Sequence, residues 1–81
     1  MITSYDGHSG IVYIVVDNLY KIAKTVEFDR ETVLELDASG HLVGIEMIRP
    51  RKSILKRIAK KYGRWELARV NLERLTGSLK P

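Results

Sequence analysis

The chain has 81 residues, of which 44% are hydrophobic and 30% charged, with a formal net charge of +4 and no cysteine. A chain of this length forms one small domain with a marginal core, which favours oligomerisation because a partner covers further apolar surface. The lack of cysteine excludes disulfides, thiolate metal sites and a cysteine nucleophile. The longest apolar run, residues 11–16, is too short to cross a membrane, and with no secretory signal at the N-terminus we expect a cytoplasmic protein.

The two halves of the chain differ in charge. Residues 1–48 carry three basic and eight acidic side chains, a net charge of −5, whereas residues 49–81 carry eleven basic and two acidic ones, a net charge of +9. Within the single domain 1–81 we therefore separate an acidic β segment, 1–48, from a basic helical segment, 49–81. Such asymmetry indicates that one segment meets something anionic: nucleic acid, an acidic protein surface or the acidic half of a second copy.

Four strands are predicted in the acidic segment. Residues 11–16 are β-branched and aromatic in both alternations, which predicts a central strand with both faces buried. The other three predicted strands are separated by turn residues and cover residues 21–28, 32–36 and 41–48. The pattern predicts an antiparallel meander whose last hairpin sets Leu34 opposite Val43 and buries Leu34, Leu36, Val43, Ile45 and Met47.

From Arg51 the apolar period becomes helical, because Pro50 ends the sheet. Gly63 is predicted to cap the first helix and to separate it from a second, each of about 12 residues. The apolar arc of the first helix contains Ile54, Leu55, Ile58, Ala59, Tyr62 and Trp65. The predicted fold class is therefore α+β: a four-stranded antiparallel β-meander followed by two C-terminal α-helices, the first packed on the sheet.

A basic arc lies opposite the apolar arc of the first helix. Its side chains lack the acidic partners at i,i+4 that a merely soluble helix tends to carry, so they are candidates for binding a polyanion. The candidate residues are Arg51, Lys52, Lys56, Arg57, Lys60, Lys61 and Arg64. Tyr62 and Trp65 lie on the apolar side, so they are predicted to pack in the core rather than to stack on bases.

Other chemically suggestive residues have plainer interpretations. His8 and His41 lack the convergent spacing of a zinc site, and Asp37 and Glu46 are predicted to be a turn residue and a solvated strand residue rather than an acid/base pair. Residues 6–10, Asp-Gly-His-Ser-Gly, predict a turn, because a catalytic triad needs side chains from separate elements. We therefore expect no catalytic residues, no metal and no cofactor.

Gly44 interrupts the fourth predicted strand on the face away from the core. A glycine inside a strand marks a bulge, the close approach of another backbone or contact with a ligand. The sequence leaves these alternatives open.

Two motifs carry a resemblance to a known family. Tyr5-Asp6 followed by Val12-Tyr13-Ile14, and then residues 33–47, Val-Leu-Glu-Leu-Asp-Ala-Ser-Gly-His-Leu-Val-Gly-Ile-Glu-Met, resemble the small prokaryotic family catalogued as domain of unknown function twenty-two eighty-three. The resemblance covers residues 3–50. It implies a four-stranded antiparallel meander with a helix, no established enzymatic activity and, for some members, a role beside a toxin as an antitoxin-like partner. The basic segment from Arg51 onward is longer than the tail usual in that family.

Two function classes follow from these features. The first is a non-enzymatic protein-interaction or regulatory module, antitoxin-like, with a toxin-like protein as partner and a homodimer as its assembly. The homodimer is predicted because one face of the sheet would otherwise expose Val12, Ile14, Val16, Val33, Leu42 and Ile48. The second is a small nucleic-acid-binding protein that contacts phosphates through the helix at residues 51–64. No membrane partner is expected, since the sheet needs the apolar face of the helix.

Overall fold

A computed structural model describes residues 1–77 of the chain, and its fold is α+β. The chain divides into two compact units, Met1–Arg49 and the segment from Pro50 onward. The first unit is an antiparallel sheet with strands β1 (Ile2–Asp6), β2 (Ile11–Val15), β3 (Lys24–Asp29), β4 (Thr32–Leu36) and β5 (Leu42–Ile48). The second contains helix α1 (Lys52–Tyr62), the 3₁₀ helix Trp65–Arg69 and helix α2 (Leu72–Thr76).

The sheet has five strands rather than the predicted four, and it is not a simple meander. Strands β3, β4 and β5 follow one another as a meander, but β5 lies beside β2, so that the order is β1-β2-β5-β4-β3. The additional strand is β1, which pairs with β2 through Tyr5 opposite Val12 and Thr3 opposite Ile14. All five of its side chains are exposed, so it lacks the apolar alternation by which strands are recognised. The turn at residues 6–10 was the available signal, because it joins the two strands as a hairpin.

One face of the sheet holds its most deeply buried side chains. Ile14, Ile45 and Leu34 are each no more than 1% exposed, and they lie side by side, with Ile14 opposite Ile45 and Ile45 opposite Leu34. The opposite face of β2 is only partly buried, so the prediction that both faces of this strand are buried is half right. The apolar surface expected to need a second copy is also smaller than predicted, because four of its six members are buried within the chain itself: Val12, Ile14, Val16 and Leu42.

The hairpin between β4 and β5 is shifted by two residues from the predicted register. Leu34 pairs with Ile45 rather than with Val43, and the register is irregular between Glu35 and Leu36. The loop between the paired Leu36 and Leu42 has five residues, one more than predicted, and the bulge adds one further residue to β5. Because a shift of two residues leaves each side chain on its face, the predicted core side chains are nevertheless buried: Leu34, Leu36, Val43, Ile45 and Met47.

Helix α1 agrees with the sequence pattern, including the way it ends. Gly63 adopts the left-handed conformation with φ of 67°, and its N–H donates to the carbonyl of Ala59. The N–H of Arg64 donates to the same carbonyl at 3.0 Å. The carbonyl of Ala59 near the helix end thus accepts two hydrogen bonds, and glycine adopts the required left-handed conformation at no steric cost. The prediction of a cap and a break at Gly63 is confirmed.

The second predicted helix is broken into two short elements. The 3₁₀ helix ends at Arg69, Val70 is extended, and α2 then covers only five residues. The Asn71 side chain starts α2 by accepting a hydrogen bond from the N–H of Arg74 at 2.9 Å. The prediction of a second α-helix of about 12 residues is therefore wrong in length, because this local cap competes with a continuous helix.

Within residues 1–77, none of the helices is long and apolar enough to cross a membrane. The predicted packing of the first helix on the sheet stays a prediction. Lys80, which contributes to the charge of the basic segment, lies outside the described residues.

Ile58 provides a test of the core formed by α1. Its side chain is 0% exposed, so Ile58→Asp would bury an unpaired charge. We expect a loss of about 3 kcal/mol or more in the free energy of unfolding, enough to unfold a domain of this size. Lys56→Asp on the exposed side of the same helix is the control and should change stability by about 0.5 kcal/mol or less. Equal melting temperatures for the two variants would contradict the buried position of Ile58.

Candidate functional site

Four of the seven candidate residues form one exposed surface of α1. At 100° per residue, Lys56, Arg57, Lys60 and Lys61 cover an arc of about 140°, and all four side chains are exposed. The buried side chains of the helix occupy the complementary arc: Ile54, Leu55, Ile58 and Ala59. We call the surface formed by Lys56, Arg57, Lys60 and Lys61 the basic face.

The basic face is not balanced by acidic residues of its own helix. The sequence of α1, KSILKRIAKKY, contains no aspartate or glutamate. Lys56 and Lys60, like Arg57 and Lys61, are like charges spaced i,i+4, and each such pair destabilises a helix by roughly 0.2–0.5 kcal/mol. Lys60 and Lys61 lie in the last turn, where cations favour the helix dipole. The same dipole gives no reason for the two cations nearer the middle of the helix.

The other three candidate residues lie outside the basic face. Arg51 is the exposed residue that precedes the first turn of α1, and its side chain makes no capping hydrogen bond. Lys52 donates from Nζ to the carbonyl of Val70 at 3.5 Å, which ties the start of α1 to the segment before α2. Arg64 follows the cap and donates to Glu66 Oε2 from Nε at 2.9 Å and from Nη2 at 2.7 Å. The structure therefore brings four of the seven cations together, and two of the other three, Lys52 and Arg64, make contacts within the helical unit.

The prediction that Trp65 packs in the core is wrong. Its side chain is 62% exposed, whereas Tyr62 is partly buried. The prediction extended the apolar arc of the first helix through residue 65, but the helix ends at Tyr62 and Gly63 changes the direction of the chain. In the 3₁₀ helix that follows, Leu67 is the fully buried residue. The loss of helical phase at Gly63 was the signal that could have found this exposed aromatic side chain.

A cavity of about 390 Å³ lies beside the first residue of α1. Its lining includes the cations of Lys52 and Arg69 together with the carboxylate of Glu73 and the side chains of Asn71 and Thr76. Opposite charges in one lining do not select an anion or a cation. No group of three or more histidine, aspartate or glutamate side chains within residues 1–77 is arranged to hold a metal ion.

Asp37 and His41 form a local pair at the turn between β4 and β5. Asp37 Oδ1 accepts hydrogen bonds from the N–H groups of Ser39 and His41, and its Oδ2 lies 2.9 Å from His41 Nδ1. Burial acts to raise the pKa of Asp37, but the hydrogen bonds from His41 outweigh it and the pKa is lowered. Asp37 follows Leu36, which pairs with Leu42 on β5. Glu46 lies four residues beyond Leu42, which is about 13 Å along a strand. The structure does not bring Asp37 and Glu46 together.

Residues 6–10 form the turn between β1 and β2, as predicted. Asp6 accepts hydrogen bonds from the N–H of His8 at 2.9 Å and from Ser9 Oγ at 3.0 Å. These two bonds lower the pKa of Asp6. Because the carboxylate closes the turn, it does not orient His8 as a base.

Gly44 lies under a hydrogen bond between the two strands that flank β5. Tyr13 on β2 donates its hydroxyl proton to Glu35 on β4, and a Cβ at Gly44 would lie 2.8 Å from Tyr13 Oη and would also meet Glu35 Oε1. The register irregularity of β4 and β5 begins at the Glu35–Gly44 pair. Of the alternatives that the sequence left open, the structure shows a bulge next to Gly44, and the groups that approach Gly44 closely are the side chains of Tyr13 and Glu35 rather than another backbone.

The same hydrogen bond changes the acidity of Tyr13. The bond to Glu35, partial burial and the negative charges of Glu35 and Glu46 raise the pKa of Tyr13 to about 12. The bond retains the phenolic proton, and the nearby carboxylates disfavour a third negative charge. This side of the sheet therefore carries a neutral, hydrogen-bonded tyrosine between two carboxylates.

No family model, curated protein or solved structure matches this chain. The likeness to the family of unknown function stays a prediction.

Alkaline titration of Tyr13 tests the arrangement over Gly44. Because the pKa is raised from 10.0 to about 12 on folding, the stabilisation by Tyr13 is complete below the unfolded pKa and is lost as pH rises through the folded one. We expect the tyrosinate absorbance that Tyr13→Phe removes to have its midpoint near 12. Glu35→Gln removes a carboxylate and Gly44→Ala displaces the hydrogen bond, so each should lower this midpoint. A wild-type midpoint at the ordinary value of 10.0 would contradict the arrangement.

Proposed function

We propose that the chain is a small nucleic-acid-binding protein whose basic face contacts phosphates. The observation that carries this proposal is the set of four exposed cations on one arc of a helix that has no acidic residue. A polyanion lying along α1 would meet several of these cations at once and release counterions in proportion. The mutual repulsion of the cations in the unbound helix is then relieved on binding.

The arrangement of the neighbouring cations supports the same function. Arg64 is neutralised by Glu66, whose pKa is lowered by the hydrogen bond from Arg64. The basic face has no corresponding carboxylate on α1. The chain thus pairs Arg64, which holds a turn in place, and carries no carboxylate on α1 against Lys56, Lys60 and Lys61. Phosphate contacts of this kind supply affinity without reading sequence.

Salt dependence tests the proposed function. If about four phosphates are neutralised, the logarithm of affinity should fall against the logarithm of salt concentration with a slope near −3.6 for duplex DNA and near −2.8 for a single strand. The double charge reversal Lys56→Glu and Lys60→Glu should remove most of the binding to all sequences alike, with the circular dichroism of the fold unchanged.

Lys21→Glu with Lys24→Glu is the matched control, because it changes the net charge equally at two exposed lysines of the first unit. It should retain at least most of the wild-type affinity. Absence of a mobility shift with both DNA and RNA at low salt, or equal weakening by the two double variants, would contradict phosphate binding by the basic face.

A protein-interaction module is the second candidate function, and the edge strand β1 supports it. All five residues of β1 are exposed, and its pairing with β2 is regular. The other edge strand, β3, has an irregular register between Glu27 and Asp29 and begins with Lys24, features that protect an edge from further pairing. A second copy brings the same unprotected edge, so an antiparallel pair of β1 strands would satisfy both copies in a homodimer.

The mass in solution tests the homodimer. We expect light scattering at tens of micromolar to give twice the chain mass of 9.3 kDa. Ser4→Lys places like charges near each other at the paired edge and should return the mass to that of the monomer. Ala38→Lys, in the exposed turn after β4, is the control and should remain dimeric. A monomeric wild type would contradict the pairing, and capture of a toxin-like protein at this edge would assign it to a different partner.

A further inference from the structure

Trp65 is the single tryptophan of the chain, and it is exposed to water where it follows the basic face. Its side chain is 62% exposed, although tryptophan is on average one of the more buried residues of folded proteins. Lone exposed apolar side chains are common and need no explanation. Trp65 differs from such residues because it follows the basic face and because hydrogen bonds order the backbone on both sides of it.

The backbone on both sides of Trp65 is fixed. The N–H of Arg64, the residue before it, donates to Ala59 at 3.0 Å and closes the cap of α1. The carbonyl of Arg64 accepts a hydrogen bond from the N–H of Leu67 at 3.1 Å, and Leu67 is fully buried. The ion pair of Arg64 with Glu66 links the two residues that flank Trp65. The indole is therefore presented by an ordered turn, which lowers the entropy lost when it binds a ligand.

The surroundings of Trp65 along the chain are cationic. Lys60 and Lys61 form the last turn of α1, and four peptide units separate Lys61 from Trp65, so their Cα atoms lie within about 15 Å. Lys61 Nζ lies 5.9 Å from the centre of the Tyr62 ring, within the range of a cation–π contact. An exposed aromatic ring that follows a row of cations closely along the chain is a combination suited to single-stranded nucleic acid, with the cations on the backbone and the ring on a base.

We propose that Trp65 is a stacking platform for an unpaired nucleobase, so that the nucleic acid held by the basic face is single-stranded. This inference rests on the proposed function and names its substrate class. In a duplex the faces of interior bases are covered by their neighbours, whereas the bases of a single strand are free to stack on an aromatic ring. The density of cations without acidic residues on α1 favours a nucleic acid over an apolar protein surface as the occupant.

Because Trp65 is the single tryptophan, its fluorescence reports on this site alone. We expect titration with a short oligothymidylate to quench the emission to saturation, and a duplex of equal length to quench it far less. Trp65→Ala should weaken binding of the single strand about tenfold, and Trp65→Phe should restore most of the affinity because a phenyl ring still stacks. Duplex affinity should be nearly unchanged in both variants.

Leu19→Ala is the control, because Leu19 is 86% exposed and lies in the first unit. It should bind the single strand as wild type does. Salt-dependent binding that is equal in wild type and Trp65→Ala, with no quenching, would overturn the stacking platform and leave phosphate binding by the basic face standing.

Absence of binding to any nucleic acid would instead overturn the proposed function. A change of mass in Trp65→Ala with no change in affinity for the single strand would assign Trp65 to a protein contact and contradict the stacking platform.

Discussion

The left-handed conformation of Gly63 determines which side chains the helical unit presents to water. At φ of 67° the chain leaves the axis of α1, and the N–H groups of residues 63 and 64 close on the carbonyl of Ala59. Had the helix continued, its phase would have carried Trp65 onto the buried arc with Ile54 and Ile58. The break instead buries Leu67 and exposes Trp65 at the end of the basic face. The proposed contact with a base therefore depends on this one turn.

The composition of α1 is consistent with a binding surface. A helix selected only for stability would carry glutamate opposite its lysines and acidic residues in its first turn, each a source of a few tenths of a kcal/mol. The first turn of α1 has no acidic residue. The exposed residues of the whole helix are all basic apart from Ser53. Burial of Ile54, Leu55 and Ile58 outweighs these small losses, because each such buried side chain contributes about 1.5–3 kcal/mol. Ala59 is buried as well. The apolar arc therefore stabilises the helix, and the composition of the basic face agrees with the proposed phosphate contacts.

Local patterns gave those parts of the fold that depend on neighbouring residues. The strands near residues 11–16, 32–36 and 41–48, the helix from Lys52 and the cap at Gly63 all follow from period, turn residues and glycine. Strand β1 and the position of β5 beside β2 depend on pairings between distant segments, which leave little trace in an exposed strand. The bridge between Tyr13 and Glu35 over Gly44 is of the same kind, because it joins residues of three different strands.

The candidate site was predicted in part for the same reason. Helical spacing alone placed Lys56, Arg57, Lys60 and Lys61 on one arc, and the structure exposes all four. Spacing could not show that Arg64 would be held by Glu66 or Lys52 by Val70, because both contacts arise after the chain turns. Spacing also placed Trp65 in the core, because the helical period was applied beyond Gly63, which ends the helix.

Chemical-shift mapping of the labelled protein with a short single-stranded oligonucleotide tests the central claim most directly, because it locates the contact without altering the chain. The account predicts that the largest changes fall on the amides of α1 between Lys56 and Lys61 and on the indole N–H of Trp65. Signals of the sheet should shift little. Changes confined to the strands Ile2–Asp6 to Leu42–Ile48, with α1 and Trp65 unaffected, would contradict the account.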